Sequence, residues 1–189
     1  MELGFPADRT LVLETRPALG EVPDSAGPLP ALDRPWILVP FSFRADEPVE
    51  AVIEAAEQVP DITLVLTGDP RRAGDRLDQA AAPSNIVFTG FVDGDTYKAL
   101  LAESDAVLGL TTKPDVQLSG ANEAVGFGKP MVLSDTPVLR RLFPKGARYV
   151  GAESESIAAG LRAVVEQRAE LAEQAQDLKA ERVVRWASQ

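Results

Sequence analysis

The chain has 189 residues, 45% hydrophobic and 25% charged, with a net charge of -10 and a pI near 4.6. That is enough for one good core with a small appendage, and it argues against nucleic acid as a partner because no Lys/Arg cluster offsets the repulsion. With no Cys and no His, disulfides, thiol nucleophiles, thiolate metal sites and the commonest general base are excluded; no apolar run approaches the ~20 residues of a membrane span, no secretory signal is visible, and a cytoplasmic location is expected.

Taken in order, the chain opens with a strand-like piece, Thr10 to Glu14, then a Pro-rich connector from Arg16 to Pro35, where the density of Pro prevents helix or ladder pairing. Residues 1–35 therefore read as an N-terminal strand and connector, and 36–189 as the domain proper. WILVPF (36–41) is a buried-strand run, followed by a predicted helix from Asp46 to Glu57 with Pro48 in its first turn and Val49, Val52, Ile53 and Ala56 on one face. A second strand lies in 61–70 and ends in Thr67, Gly68 and Asp69; a polar helix is expected around Arg71 to Ala80. NIVFTGFVDGD (85–95) gives a third strand and its loop. Thr96 to Ser104 is a helix with Tyr97, Leu100 and Leu101 inward, and Ala106 to Leu110 is a fourth strand.

A small-residue turn and a short helix (about Gly120 to Phe127) come next, closed by Gly128, which suits a left-handed cap. PMVLSD from Pro130 is a fifth strand, Pro137 to Leu142 a short helix and ARYV (147–150) a last strand. Ser156 is placed to cap a helix carrying Ile157, Leu161, Val164 and Val165, and a further helix runs through Leu171, Ala175 and Leu178 to Trp186. Apolar runs alternating with helical patterns imply an α/β fold: a doubly wound, mostly parallel six-stranded Rossmann-like sheet with helices on both faces.

The stretch DVQLSGANEAVGFGKP (115–130) organises the site. In an open parallel sheet such a turn sits at the carboxyl edge, where a helix N-terminus offers free N–H groups to an anion. Ser119, Gly120 and Ala121 carry little bulk, so their amides can approach a diphosphate. Glu123, expected in the first helix turn, is placed to accept hydrogen bonds from a pair of hydroxyls, or else serves only as a carboxylate favoured by the helix dipole. Asp115 is either a ligand contact or a loop acid beside Pro114. No GxGxxG string follows the first strand, which argues against nicotinamide or flavin. No cluster of carboxylates is spaced for a metal.

With these elements in place, the chain resembles the C-terminal, donor-binding half of a GT-B glycosyltransferase of the large retaining group whose motif reads Glu, seven residues, Glu. The typical string EGFGLxxxEAxAxGxPVV runs in register with DVQLSGANEAVGFGKPMVL, so that Glu123, Ala124, Gly128 and Pro130 fall on matching positions. The strand and GD turn at Thr63 to Asp69 and the string NIVFTGFVD (85–93) agree as well, and the likeness covers about 36 to 187. It implies a nucleotide-sugar donor as substrate, the hydroxyls of the nucleotide's ribose on Glu123, the transferred sugar at Asp115 in place of the group's first Glu, and the nucleotide base at Phe91 and Val92. It also implies a missing N-terminal acceptor-binding domain, without which the chain binds donor but has little or no turnover. No cofactor is implied, and Mg²⁺ dependence is left open.

The chain departs from the group after the first strand. Ser42 and Glu47 stand where an Arg and a Lys usually grip the diphosphate, and FSFRADEP is similar to the loop of β-1,4-mannosyltransferases acting on dolichol-linked acceptors. Arg44 and Lys113 are the remaining candidates for phosphate contact, a guanidinium being suited to bidentate binding; for Arg44 the alternative is a surface ion pair with Asp46 or Glu47. Taken alone, Phe91 reads more readily as core packing than as a base contact. Competing functions are a non-catalytic sugar-nucleotide or interaction module, favoured by Ser42 and Glu47, a nucleotide-sugar 2-epimerase, which normally needs a His, and a receiver-like domain using Asp46 and Glu47.

Overall fold

The computed structural model describes residues 20–24, 29 and 31–188. The expected strand at Thr10 to Glu14 lies outside them. Six strands, Trp36–Pro40 (β1), Thr63–Thr67 (β2), Ile86–Gly90 (β3), Ala106–Gly109 (β4), Met131–Ser134 (β5) and Ala147–Val150 (β6), form one sheet in the order β3-β2-β1-β4-β5-β6. Every pairing is parallel. The strand order reverses between β1 and β4, and at such a switch point the loops leaving the two carboxyl ends part in opposite directions and open a crevice.

The strands are apolar throughout because both faces are covered. Ile37, Val39, Leu64, Leu66 and Leu108 face one core, completed by Val52 and Ala56 of α1 (Val49–Gln58) and Ile157 and Leu161 of α5 (Ser154–Glu166). Trp36, Leu38, Val65, Val107, Met131 and Leu133 face the other. There they meet Leu100 of α2 (Gly94–Glu103), Ala121 of α3 (Ser119–Gly126), Leu139 of α4 (Pro137–Leu142) and Leu178 of α6 (Arg168–Ala187). Of the described connector residues, Leu29 and Leu32 pack against this second core.

At the amino edge, the buried Asp105 accepts from the Trp36 amide at 3.0 Å and from Arg34 at 2.8 Å, and it also pairs with Arg168. One carboxylate thus ties the connector, β1, β4 and α6 together, away from the carboxyl edge.

Three expected elements differ. The first helix starts at Val49, not Asp46, because the two preceding carboxylates are committed to loop contacts described below. The polar segment after β2 is a 3-10 turn, Pro70–Arg76, broken at Gly74 (φ 58°), since a left-handed residue cannot continue a helix. Ser156 does not cap α5: the helix begins at Ser154, and the Ser156 hydroxyl instead accepts from the Gly151 amide at 2.9 Å.

Gly68 sets the distance between the β2 and β1 carboxyl ends. It has φ +99°, and a Cβ there would lie 2.1 Å from the Phe41 carbonyl oxygen. Gly68→Ala is expected to lower stability by about 2–5 kcal/mol, the overpacking cost plus the left-handed penalty, measured by urea unfolding; a loss below about 0.5 kcal/mol would show that the β1 loop gives way freely.

Candidate functional site

The loop from Phe41 to Pro48 and the loop from Leu110 to Leu118 leave β1 and β4 on either side of the switch point. Asp46 joins them. Its carbonyl accepts from the Thr112 amide at 2.8 Å, its carboxylate accepts from the Thr111 hydroxyl at 3.1 Å, and Lys113 Nζ lies 3.4 Å from Oδ1. Thr111 is fixed in turn by its own amide, which donates to the Ser134 hydroxyl of β5 at 2.8 Å. Desolvation pushes the Asp46 carboxyl upward, but the hydrogen bond from Thr111, a backbone amide and the Lys113 ammonium together hold it below its ordinary value of 3.8.

The β1 loop closes on Glu47. Both carboxylate oxygens accept from the Ser42 amide at 3.1 Å, and Oε2 accepts from the Arg44 amide at 2.8 Å. Phe43, between those amides, is left-handed at φ 54° with its ring buried edge-on against Phe41. Arg76 braces the outside, donating to the carbonyls of Phe43 (2.9 Å), Arg44 (3.1 Å) and Glu47 (3.2 Å). The Ser42 and Arg44 side chains are exposed, and the Arg44 guanidinium has no ion pair among the described residues. The alternative reading of Arg44, a surface ion pair with Asp46 or Glu47, is therefore not met: Asp46 is taken by Lys113, and Glu47 binds the Arg44 amide rather than its guanidinium. Lys113 is correspondingly committed to Asp46.

On the other side of the crevice, α3 starts at Ser119 with no side-chain cap, so the first N–H groups of its first turn have no intrahelical partner. Ser119 is exposed and Gly120 half-buried. Ala121, by contrast, is fully buried in the second core and presents no surface to a ligand, because the helix turns that position toward Leu38 and Met131. Gly120 is glycine for packing reasons as well: a Cβ there would lie 2.7 Å from Pro40 Cγ and 3.8 Å from the Tyr97 hydroxyl.

Glu123 lies in the second turn of α3, beyond the first turn where the helix dipole acts most strongly. It accepts a hydrogen bond from the Tyr97 hydroxyl at 2.8 Å. Burial pushes the Tyr97 phenol far above its ordinary value, with the charge and hydrogen bond of Glu123 adding to the shift, so it remains a donor. Tyr97 is carried by α2, which Asp93 caps by accepting from the Asp95 and Thr96 amides, both at 2.9 Å. The sequence pattern predicts only that Tyr97 faces inward; its spacing carries no sign of a carboxylate partner on a different helix.

Phe91 immediately follows β3 and is 86% exposed, so the core reading does not hold. The reason lies in Gly90, whose φ of 69° turns the chain outward at the strand end. Val92 next to it is half-buried against the second core. Asp115 sits in an exposed turn before α3. Among the described residues no group of three or more Asp or Glu is placed to hold a metal ion. No helix among them is long and apolar enough to cross a membrane.

Residues 44–186 match the protein family described as Glycosyl transferase-like. The chain belongs to this family. No curated protein matches this glycosyl transferase-like sequence. Among solved structures, HepE of Anabaena in complex with UDP and glucose is similar with a TM-score of 0.70 at 20% identity, over 82% of this chain and 46% of that one. Sucrose-phosphate synthase of Thermosynechococcus elongatus gives 0.68 at 21% identity, over 84% of this chain and 42% of that one. The C-terminal domain of LpcC, a glycosyl transferase group 1 protein of Francisella tularensis, gives 0.62 at 20% identity, over 79% of this chain and 86% of that one. The chain thus spans less than half the length of the HepE and sucrose-phosphate synthase structures, and its sheet and helices have the fold of GT-B C-terminal domains.

The Asp46 bridge has a pH signature. Because its folded pKa lies below 3.8, its stabilising contribution is fully present above that value and is lost as pH falls through the folded pKa. Chemical unfolding from about pH 5 down to about pH 2.5 should therefore show a shallower loss of stability for Asp46→Asn than for the wild type; parallel curves would mean that Asp46 is not preferentially stabilised as a carboxylate.

Proposed function

We propose that the chain is the donor-binding half of a glycosyltransferase, and that the crevice at the carboxyl edge between β1 and β4 binds a nucleotide diphosphate sugar. The observation that carries this reading is Phe91: a phenyl ring 86% exposed on the rim of a domain whose family is glycosyl transferase-like. A ring exposed at a strand end is open to stacking by a ligand, and a nucleotide base is a flat partner of the right kind. The ring offers a stacking face, and Val92 lines the same loop. HepE, at the same fold, binds UDP, which makes uridine the first base to try.

In this reading the Tyr97 hydroxyl orients Glu123 and leaves carboxylate lone pairs to accept from the ribose hydroxyls. The first amides of α3, at Ser119 and Gly120, and the Arg44 guanidinium face the diphosphate, while Asp115 approaches the transferred sugar. Catalysis would rest on positioning the donor and on stabilising the departing diphosphate by fixed N–H dipoles and one cation. The acceptor would bind to a second domain outside residues 36–189, with 1–35 as connector, and the group's retention of anomeric configuration and use of hexoses belong to the same proposal, as does a cytoplasmic location. A second reading, a sugar-nucleotide module without turnover, is favoured by one observation: Ser42 and Glu47 bring no positive charge to the β1 loop, and Glu47 adds a negative one.

Calorimetric titration with UDP, GDP and ADP and with their glucose or mannose conjugates tests the proposal. One nucleotide class should bind, and Phe91→Ala should weaken it by about 1–3 kcal/mol, the value of an aromatic–base stack, without changing the unfolding midpoint. Glu123→Ala should weaken the same ligand and leave the fold intact. Binding unaffected by either substitution would place the nucleotide elsewhere, and no binding of any nucleotide would remove the donor-site reading.

A further inference from the structure

The β1 loop is built around an anion. The Ser42 and Arg44 amides flank a left-handed residue and point into one concavity, the arrangement of a backbone nest. The carbonyls of Phe43, Arg44 and Glu47 point the other way, onto the Arg76 guanidinium. The occupant of the nest is the chain's own Glu47 carboxylate, held by three contacts of 2.8 to 3.1 Å. The main chain beneath it is anchored independently, at the Glu47 carbonyl by Arg76 and at the Asp46 carbonyl by the Thr112 amide. Rotation of the Glu47 side chain alone would therefore vacate the nest without unfolding the loop. Arg44 stands beside it, exposed and without an ion pair among the described residues.

We infer that Glu47 is an internal competitor for phosphate: in the free protein its carboxylate fills the anion nest of Ser42 and Arg44, and a phosphate-bearing ligand at this edge binds by displacing it. The inference rests on the reading that this edge takes a phosphate-bearing donor, and it adds the residue that sets the affinity. Two anions cannot share two amides; a phosphate oxygen that takes them must expel the carboxylate and then meets Arg44 instead of a like charge. A carboxylate that only staples the loop would behave in the opposite way, since its loss would loosen the site and weaken any ligand there.

The experiment is a pair of titrations, with inorganic pyrophosphate and with UDP, of the wild type, E47A and E47Q, following the Ser42 and Arg44 amide resonances by NMR alongside thermal unfolding. E47Q keeps a carbonyl acceptor for the nest but no charge, so it guards against fraying of the loop. Both variants should bind pyrophosphate at least ten-fold tighter than the wild type, with saturable shifts at those two amides. Equal, weaker or absent binding in cooperatively folded variants would overturn the inference. A ten-fold gain for pyrophosphate with no response to UDP, nor to GDP or ADP titrated in the same way, would retain the competition and reject the donor reading; nucleotide binding unchanged by either substitution, with no pyrophosphate gain, would do the reverse.

Discussion

The site depends on Asp46, which bridges the switch point. In a doubly wound sheet the loops after β1 and β4 diverge, and nothing in the ladder itself fixes their separation. Asp46 fixes it with a carbonyl bonded to the Thr112 amide and a carboxylate bonded to Thr111, with Lys113 alongside. The consequence reaches further than the pair. Because Asp46 is pinned across the crevice, Glu47 is turned back onto the amides of Ser42 and Arg44, and α1 begins only at Val49. The other wall is fixed by packing, with Gly120 of α3 against Pro40 at the end of β1.

The electrostatics of this edge are mostly internal. The carboxyl ends of the strands carry several cations, and most are already matched: Lys113 with Asp46 after β4, Arg71 with Asp69 after β2, and Arg140 with Asp135 after β5. Exposed pairs of this kind add little stability, but they remove positive charge that an anionic ligand would otherwise find. Against a net charge of -10, a diphosphate bound at this edge as proposed would rely on fixed dipoles, the α3 amides and the loop nest, together with Arg44. Dipoles of that sort are pre-oriented and need no counter-charge to be released, which suits a site of low net positive potential.

The sheet, its strands and most helix bounds were legible in the sequence because buried parallel strands read as short apolar runs and the breaks between them carry Gly and Pro. The expectation that Asp46 opened a helix failed for a reason local periodicity cannot show: both acids of the Asp46–Glu47 pair bind partners, Thr111 at a distance of 65 residues and the amides of Ser42 and Arg44 close by. The candidate site was legible as a region, since the small-residue turn marked the carboxyl edge. Its inner wiring was not. Tyr97 and Glu123 are 26 residues apart and meet only because α2 and α3 pack on the same face, and Ala121 looked like a turn residue until the helix phase turned it into the core. Phe91 was ambiguous because a strand-end Phe is usually buried, and only the left-handed Gly90 sends it outward.

The measurement that bears most directly on the claim of a nucleotide-sugar site at the switch point is amide chemical-shift mapping of the isotopically labelled chain with UDP-glucose and its GDP and ADP counterparts. A donor site at the switch point predicts that one donor shifts a contiguous set of amides along the carboxyl edge, including Arg44, Phe91, Ser119 and Gly120, while the amino edge around Trp36 and Asp105 stays still. Shifts confined to the amino edge or to α6, or no saturable shift with any donor, would contradict it.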